Sequence, residues 1–222
     1  MKKIIFASFF IFISQISYSG VFLENLSQSE KIFRGRAPKP NEINQLTSSG
    51  INSVLIFKNQ TKTEVDDEIS QLVAAGIDAK KIYHVPFKWK DFDSEKIACE
   101  QVIDALKILV AAENSPDDKI LFHCTVGEDR TGLLAGLMTQ LLTTDNINEV
   151  YLNQMCRKGY AGGNKMKPIA VQKTVEQYLT PLFLKISEKI QNGEIGMTSL
   201  NKKACLNLST ESVSMTPCSK MR

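Results

Sequence analysis

Lys119-Ile-Leu-Phe-His123-Cys124-Thr125-Val126-Gly127-Glu128-Asp129-Arg130-Thr131-Gly132 is the stretch on which the fold turns. Lys119 to Phe122 has the short, apolar, bounded character of a buried strand, and it runs straight into a histidine and a cysteine. The chain then turns at a glycine. Beyond Arg130, Leu133, Leu134, Leu137, Met138, Leu141 and Leu142 recur at helical core spacing. A strand feeding a tight loop and then an apolar helix is half of a βα layer, and it predicts the rest of the architecture.

Working outward, the same alternation repeats. Ser53 to Phe57 follows a turn at Gly50 and reads as a buried strand, and Lys81 to Val85 reads as another. Residues 63–75 have a helical pattern that stops at Gly76. Asp93 is placed as the N-cap of a long amphipathic helix bearing Ala98, Val102, Ala105, Leu106, Leu109 and Val110 on one face. Helices are expected over 147–157, 168–179 and 181–191, the last because Thr180-Pro181 reads as an N-cap followed by a first helical residue. Strands alternating with helices predict an α/β domain with a central sheet flanked by helices.

The loop between strand and helix carries the chemistry. Successive backbone N–H groups in a tight turn above a helix N-terminus form a nest for an anion. The same positive field favours a thiolate at Cys124, which makes it a nucleophile. The Arg130 guanidinium fork closes the cradle over two phosphoryl oxygens, and Thr131 offers a hydroxyl toward the sulfur. Thr125, Val126, Gly127, Glu128 and Asp129 form the wall of the loop. Two other readings fail on residue identity. Gly127 and Gly132 have nucleotide-loop spacing, but leucines stand where Lys and Ser/Thr are required, and there is no Gly-x-Ser-x-Gly elbow. The alternative for Cys124 is a buried structural thiol, to which the surrounding His, Gly, Arg and Thr are opposed.

The first residues read as an address. Met1-Lys2-Lys3, the apolar run Ile4–Ile13 and Ser17-Tyr18-Ser19-Gly20 have the order of a secretory signal peptide cleaved after Ser19, and the apolar run is too short to cross a bilayer. The expected location is periplasmic or secreted. The formal charge of +3 falls to +1 when Lys2 and Lys3 leave, which gives nucleic-acid binding no support. Only two histidines, His84 and His123, are available, so a histidine-rich metal centre is hard to build; no cofactor is expected. Of five cysteines at least one must stay unpaired, and Cys205 with Cys218 is the candidate disulfide, two free thiols being the alternative.

His-Cys-x5-Arg-Thr-Gly resembles the signature of the protein tyrosine phosphatase superfamily, the cysteine-dependent phosphatases. Phe33-Arg34-Gly35-Arg36-Ala37-Pro38 and Gly50 to Ile56 resemble the opening of its compact dual-specificity members, and the likeness covers most of residues 32–160. It implies a central sheet of four or five strands and residues 20–191 as the phosphatase domain, while the tail over 192–222 reads from its own sequence as poorly ordered. It also implies a metal-free two-step reaction in which Cys124 forms a cysteinyl-phosphate that water then hydrolyses. Trp89-Lys90-Asp91-Phe92 resembles the family's acid loop with lysine in place of proline, so Asp91 is the candidate general acid and Asp93 the runner-up. His123 is expected to orient the loop by hydrogen bonding, and His84 has no assigned role.

The substrate implied is a small phosphorylated molecule. Export favours scavenged inositol polyphosphates, with Lys88, Lys90 and Lys58 as candidate contacts. Glu128 and Asp129 stand against this, because phytase-type members carry glycine immediately before the arginine. A secreted tyrosine or dual-specificity protein phosphatase is the nearest alternative. A non-catalytic phospho-ligand module, and a thiol-redox role with Cys99 or Cys156 as resolving thiol, are the others.

Overall fold

The computed structural model describes residues 23–208 and 215–221, so the expected signal peptide lies outside the described residues. Five strands, β1 (Leu23–Asn25), β2 (Ile32–Arg36), β3 (Ser53–Phe57), β4 (Ile82–Val85) and β5 (Ile120–Cys124), form one sheet in the order β1-β2-β5-β3-β4. β2, β5, β3 and β4 are parallel, and β1 is antiparallel on the β2 edge. Around the sheet lie α1 (Ile43–Ser48), α2 (Glu64–Ala74), α3 (Glu95–Asn114), α4 (Asp129–Leu142), the short α5 (Ile147–Val150) and α6 (Ile169–Gln191).

Both faces of the sheet are covered, which is why β3 and β5 read as continuous apolar runs. Alternation along each strand sorts their side chains. Val54, Ile56 and Leu121 pack on one side with residues of α1 and α2, among them Leu46, Val65 and Leu72. Leu55, Phe57, Ile120 and Phe122 pack on the other with α3, α4 and α6. Each such fully buried aliphatic side chain contributes roughly 1.5–3 kcal/mol. β5 lies between β2 and β3, so its carboxyl end opens between the loops that leave its neighbours.

Several boundaries differ from the sequence reading. β1 and β2 were not foreseen as strands, since Ile-Phe-Arg-Gly-Arg has no clean alternation. Ser94, not Asp93, caps α3, accepting from the Ile97 N–H at 3.0 Å. The helices expected at 168–179 and 181–191 are one, with Pro181 inside it. Val175, Leu179, Leu182, Phe183 and Ile186 make a single buried stripe across the proline, and that packing outweighs one lost hydrogen bond. The expected helix 147–157 breaks into α5, a π-turn over Tyr151–Met155 and a 3-10 turn ending at Gly159.

The C-terminal segment departs most from expectation. Cys205 and Cys218 do not pair with each other: Cys99 on α3 is bonded to Cys205, and Cys156 to Cys218. The bonds span 106 and 62 residues, so no local pattern announces them. Instead of a loose tail, residues 202–207 form a 3-10 helix against α3, with Cys205 buried and Lys202 paired to Asp104 at 2.5 Å. Cys124 alone is free.

Alkylation of the unreduced, denatured protein should therefore modify one cysteine, and five after reduction; two or more reactive thiols before reduction would refute the pairing. Cys99→Ser combined with Cys205→Ser should lower the unfolding free energy by about 2–5 kcal/mol in a denaturant titration.

Candidate active site

The loop from Thr125 to Glu128 joins the end of β5 to α4 at the carboxyl edge of the sheet. Cys124 is the last residue of β5 and is nearly buried at its base. Its backbone N–H donates to Thr131 Oγ1 at 2.9 Å, which ties the two ends of the loop together and leaves the Thr131 hydroxyl proton for another partner. Gly127 makes the turn at a φ of +78°, and a Cβ there would lie 2.6 Å from the Gly35 carbonyl oxygen of β2. The loop therefore fits only with glycine at 127.

Arg130 enters from the first turn of α4. Nη1 donates to Asn59 Oδ1 and to the Phe87 carbonyl, each at 3.2 Å, and Nη2 donates to Thr125 Oγ1 at 3.1 Å. These neutral acceptors aim the guanidinium without neutralising it. The first-turn amides of α4 have no intrahelical partner, so loop and arginine together form an anion cradle with a thiol at its floor.

Arg34 supports the loop from beneath and was not picked out as a site residue. It is almost wholly buried, and donates to the Gly127 carbonyl at 3.2 Å and to the Gln154 carbonyl, within the π-turn, at 2.5 Å. Burial pushes its pKa down, against the attraction of Glu24 and Cys124. Arg36, opposite Cys124 in the β2–β5 register, is no free cation, because both its terminal nitrogens fork onto Glu42.

The acidic loop residues turn away from the cradle. Lys167 Nζ lies 3.0 Å from Glu128 Oε2 and 2.6 Å from Asp129 Oδ1, Asn164 donates to Glu128, and the Ala161 N–H donates to Asp129. Burial pushes the Asp129 carboxyl up, opposed by Lys167. Lys167 is itself buried and was missed because it lies 38 residues from Asp129. Paired with Lys167, the two acids present no unpartnered carboxylate to a polyanion.

Beside the cradle, Asn59, Lys88, Trp89, Lys90 and Asp91 line a cleft of about 260 Å³. Asp91 has a left-handed backbone, φ +49°, and accepts a hydrogen bond from the Tyr178 hydroxyl of α6 at 3.2 Å. That bond, and to a lesser degree burial, raises the pKa of Tyr178. An aromatic series, Phe57, Phe87, Phe92 and Tyr178, with centroids 4.4, 5.8 and 5.7 Å apart, carries this loop from β3 to α6. Lys88 pairs with Asp93 at 3.0 Å, and Lys90 lies 3.9 Å from Asp91 and over the Trp89 ring. Lys58 is not at the mouth: it is buried, 3.3 Å from Glu68 on α2, and cannot contact a substrate there. His123 Nδ1 donates to the Cys124 carbonyl at 2.9 Å, and Nε2 lies 2.8 Å from Glu68 Oε1. His84 donates to the Lys58 carbonyl at 2.8 Å. Cys99 and Cys156 are held in disulfides and supply no resolving thiol.

A larger cleft of about 330 Å³ lies between residues 156–172 and Cys218–Met221 and shares no lining residue with the loop. Among the described residues no group of three His, Cys, Asp or Glu is arranged to hold a metal ion.

Residues 28–152 match the model of the tyrosine phosphatase family. Among solved structures, Tk-PTP in its active form is similar at 14% identity and a TM-score of 0.54, over 75% of this chain and 97% of that one. TpbA of P. aeruginosa is similar at 16% identity and 0.51, over 74% and 86%. The core catalytic domain of the PP-IP phosphatase Siw14 from S. cerevisiae aligns at 19% identity and 0.49, over 76% and 92%. No curated protein sequence matches the chain.

Gly127→Ala should lower the unfolding free energy by more than about 1 kcal/mol, from the left-handed backbone and the contact with Gly35. Phosphate release should fall with it; a variant of unchanged stability and activity would show that the loop does not need glycine.

Proposed function

The chain belongs to the tyrosine phosphatase family and is a phosphoric monoester hydrolase, and on that premise we propose that it is an exported enzyme acting on inositol polyphosphates through a cysteinyl-phosphate. The observation that carries the chemistry is Cys124: a single reduced cysteine at the floor of an anion cradle, with Arg130 aimed by neutral partners.

In the proposed reaction the Cys124 thiolate attacks phosphorus and the P–O bond to the leaving group breaks. Asp91 gives its proton to the departing oxygen. Water then attacks the cysteinyl-phosphate, giving its proton to Asp91 and releasing phosphate and the thiolate. Charge builds on the equatorial oxygens in a loose transition state, where the loop amides and Arg130 stabilise it. Asp91 is favoured over Asp93 because it lines the cleft beside Asn59, an Arg130 partner, while Asp93 holds Lys88.

Two further observations support the finer reading. Lys88 and Lys90 flank the cleft, and their partners Asp93 and Asp91 are exposed. Such pairs are weak, so an additional phosphate on the substrate displaces them readily. The withdrawal of Glu128 and Asp129 onto Lys167 leaves that side of the loop free of unpaired acid. Two disulfides are what an oxidising compartment maintains, in keeping with the signal-like N-terminus.

Phosphate release should be measured without metal on inositol hexakisphosphate, a lower inositol phosphate, a phosphotyrosine peptide and phosphoserine. Activity on the inositols, abolished in Cys124→Ser, is expected. Turnover of the peptide alone would replace the inositol reading with a secreted protein phosphatase, and tight binding without turnover would refute catalysis. On substrates with poor leaving groups Asp91→Asn should reduce kcat by roughly 100-fold or more, and Asp93→Asn by far less. Equal small losses would remove Asp91 from the mechanism. The protein recovered from its producing cell should begin at Gly20.

A further inference from the structure

The chain beyond the family-matched residues 28–152 returns to the phosphate loop and plants a cation behind it. Lys167 stands just before Pro168 and α6, and its side chain is only 6% exposed. Its ammonium donates to Asp129 Oδ1 at 2.6 Å and to the Gly159 carbonyl at 2.8 Å, and lies 3.0 Å from Glu128 Oε2. A buried ammonium has three protons to place, and an oxygen stands near for each of them.

The surroundings are shaped to the two carboxylates. Gly159 has a φ of +90°, and a Cβ there would lie 2.9 Å from Glu128 Cδ, so the glycine makes the room that the carboxylate occupies. Asn164 Nδ2 donates to Glu128 Oε1 at 2.9 Å. The N–H of Ala161, a left-handed residue of φ +45°, donates to Asp129 Oδ1 at 2.9 Å. Lys167 is fixed in turn through its backbone: its N–H donates to the Asn164 carbonyl at 3.1 Å, and its carbonyl accepts from Gln172 Nε2 at 2.7 Å. Residues 159–167 thus form a receptacle for the two acids, with the lysine at its centre.

The charge balance of the loop explains why a cation is needed. Glu128 and Asp129 directly precede Arg130 and together outnumber it. A ligand with one phosphoryl group places its charge inside the cradle, against Arg130 and the first-turn amides of α4. Any additional phosphate must lie outside the cradle, where an unpartnered Glu128, in the half-buried wall of the loop, would repel it. We infer that Lys167 is a specificity-determining residue: by taking both acids as partners, it opens a loop that carries two carboxylates to ligands with more than one phosphate. The inference rests on the reading of the loop as the phosphate site, and deepens it by naming the residue that sets its tolerance of ligand charge. Lys167 acts through Glu128 and Asp129 and does not touch the reacting atoms.

Orthophosphate and tripolyphosphate separate the effects, since both place a phosphoryl group in the cradle and only the second extends beyond it. Their affinities are to be measured by isothermal titration of the full chain carrying Cys124→Ser, without metal, so that tripolyphosphate is not turned over. In that background Lys167→Met should weaken tripolyphosphate by roughly 10-fold or more, and orthophosphate by less than about threefold. Glu128→Gln with Asp129→Asn keeps the shape of both side chains and removes their charge. Added to Lys167→Met, the pair should bring tripolyphosphate back to within about threefold of the parent. Arg34, Arg130, Lys88, Lys90 and Asp91 are the same throughout, so the differences belong to the lysine and its two partners.

Equal weakening of both probes, or no recovery when the acids are neutralised, would show that Lys167 only supports the shape of the loop, and overturns the inference. Glu128→Gln alone is a second test, because it keeps Lys167 paired to Asp129 and does not depend on the stability of Lys167→Met. Its preference for tripolyphosphate over orthophosphate should change by less than about threefold. A gain of roughly 10-fold would mean that Glu128 is an unpaired charge at the mouth, and overturns the inference. A parent protein that binds neither probe overturns the reading of the loop itself, and this inference with it. Neither probe is an inositol phosphate, so failure on those substrates would sink the substrate reading and leave this one standing.

Discussion

Consecutive residues at the end of a strand must face opposite sides of the sheet, and the site depends on how β5 meets that constraint. β5 is clamped between β2 and β3 by parallel pairing along its length, so neither His123 nor Cys124 can rotate to relieve a poor environment. The cysteine is delivered to the loop, where backbone amides and Arg130 await an anion. The histidine is delivered into the packed layer beneath α2, where its Nε2 lies 2.8 Å from Glu68 Oε1. A buried glutamate on α2 is thus a consequence of where the strand ends, as much as a choice made by the helix.

The same clamp explains the tight contacts on the other flank. Parallel pairing with β2 brings Gly35 beside the turn of the loop, leaving no room for a side chain at Gly127, and carries Arg34 underneath it. Arg34 donates to the Gly127 carbonyl and so fixes the direction in which the opposing amides point. Carbonyls facing the buried arginine mean N–H groups facing the mouth, which is the polarity an anion site needs.

What the sequence reveals of this arrangement is what lies close together in the chain. Cys124, Arg130 and Thr131 share one turn, and the buried strands β3 and β5 declare themselves as apolar runs, so the nucleophile, its cradle and the α/β class are legible. Arg34, Glu68 and Lys167 act from 93, 55 and 38 residues away, and each looks like an ordinary surface charge until the fold buries it. Glu68 left the clearest trace, since it interrupts the Val65, Ile69, Leu72 stripe of its helix. Lys58 misled for the same reason: its position after a strand suggested the site's mouth, but alternation turns it inward with Val54 and Ile56.

The cysteines join the site to the rest of the chain. A free cysteine and disulfides make opposed demands in one chain, because a thiol placed to act as a nucleophile is also a ready partner in thiol exchange. The fold separates these demands spatially. Cys99 on α3 is bonded to Cys205 of the C-terminal 3-10 helix, and Cys156 beyond the π-turn to Cys218, so every other cysteine is committed elsewhere. Cys124 is nearly covered at the floor of the loop. Burial there shields the one free thiol from exchange with the paired sulfurs. The long-range pairing of the other four leaves Cys124 without a partner and adds stability.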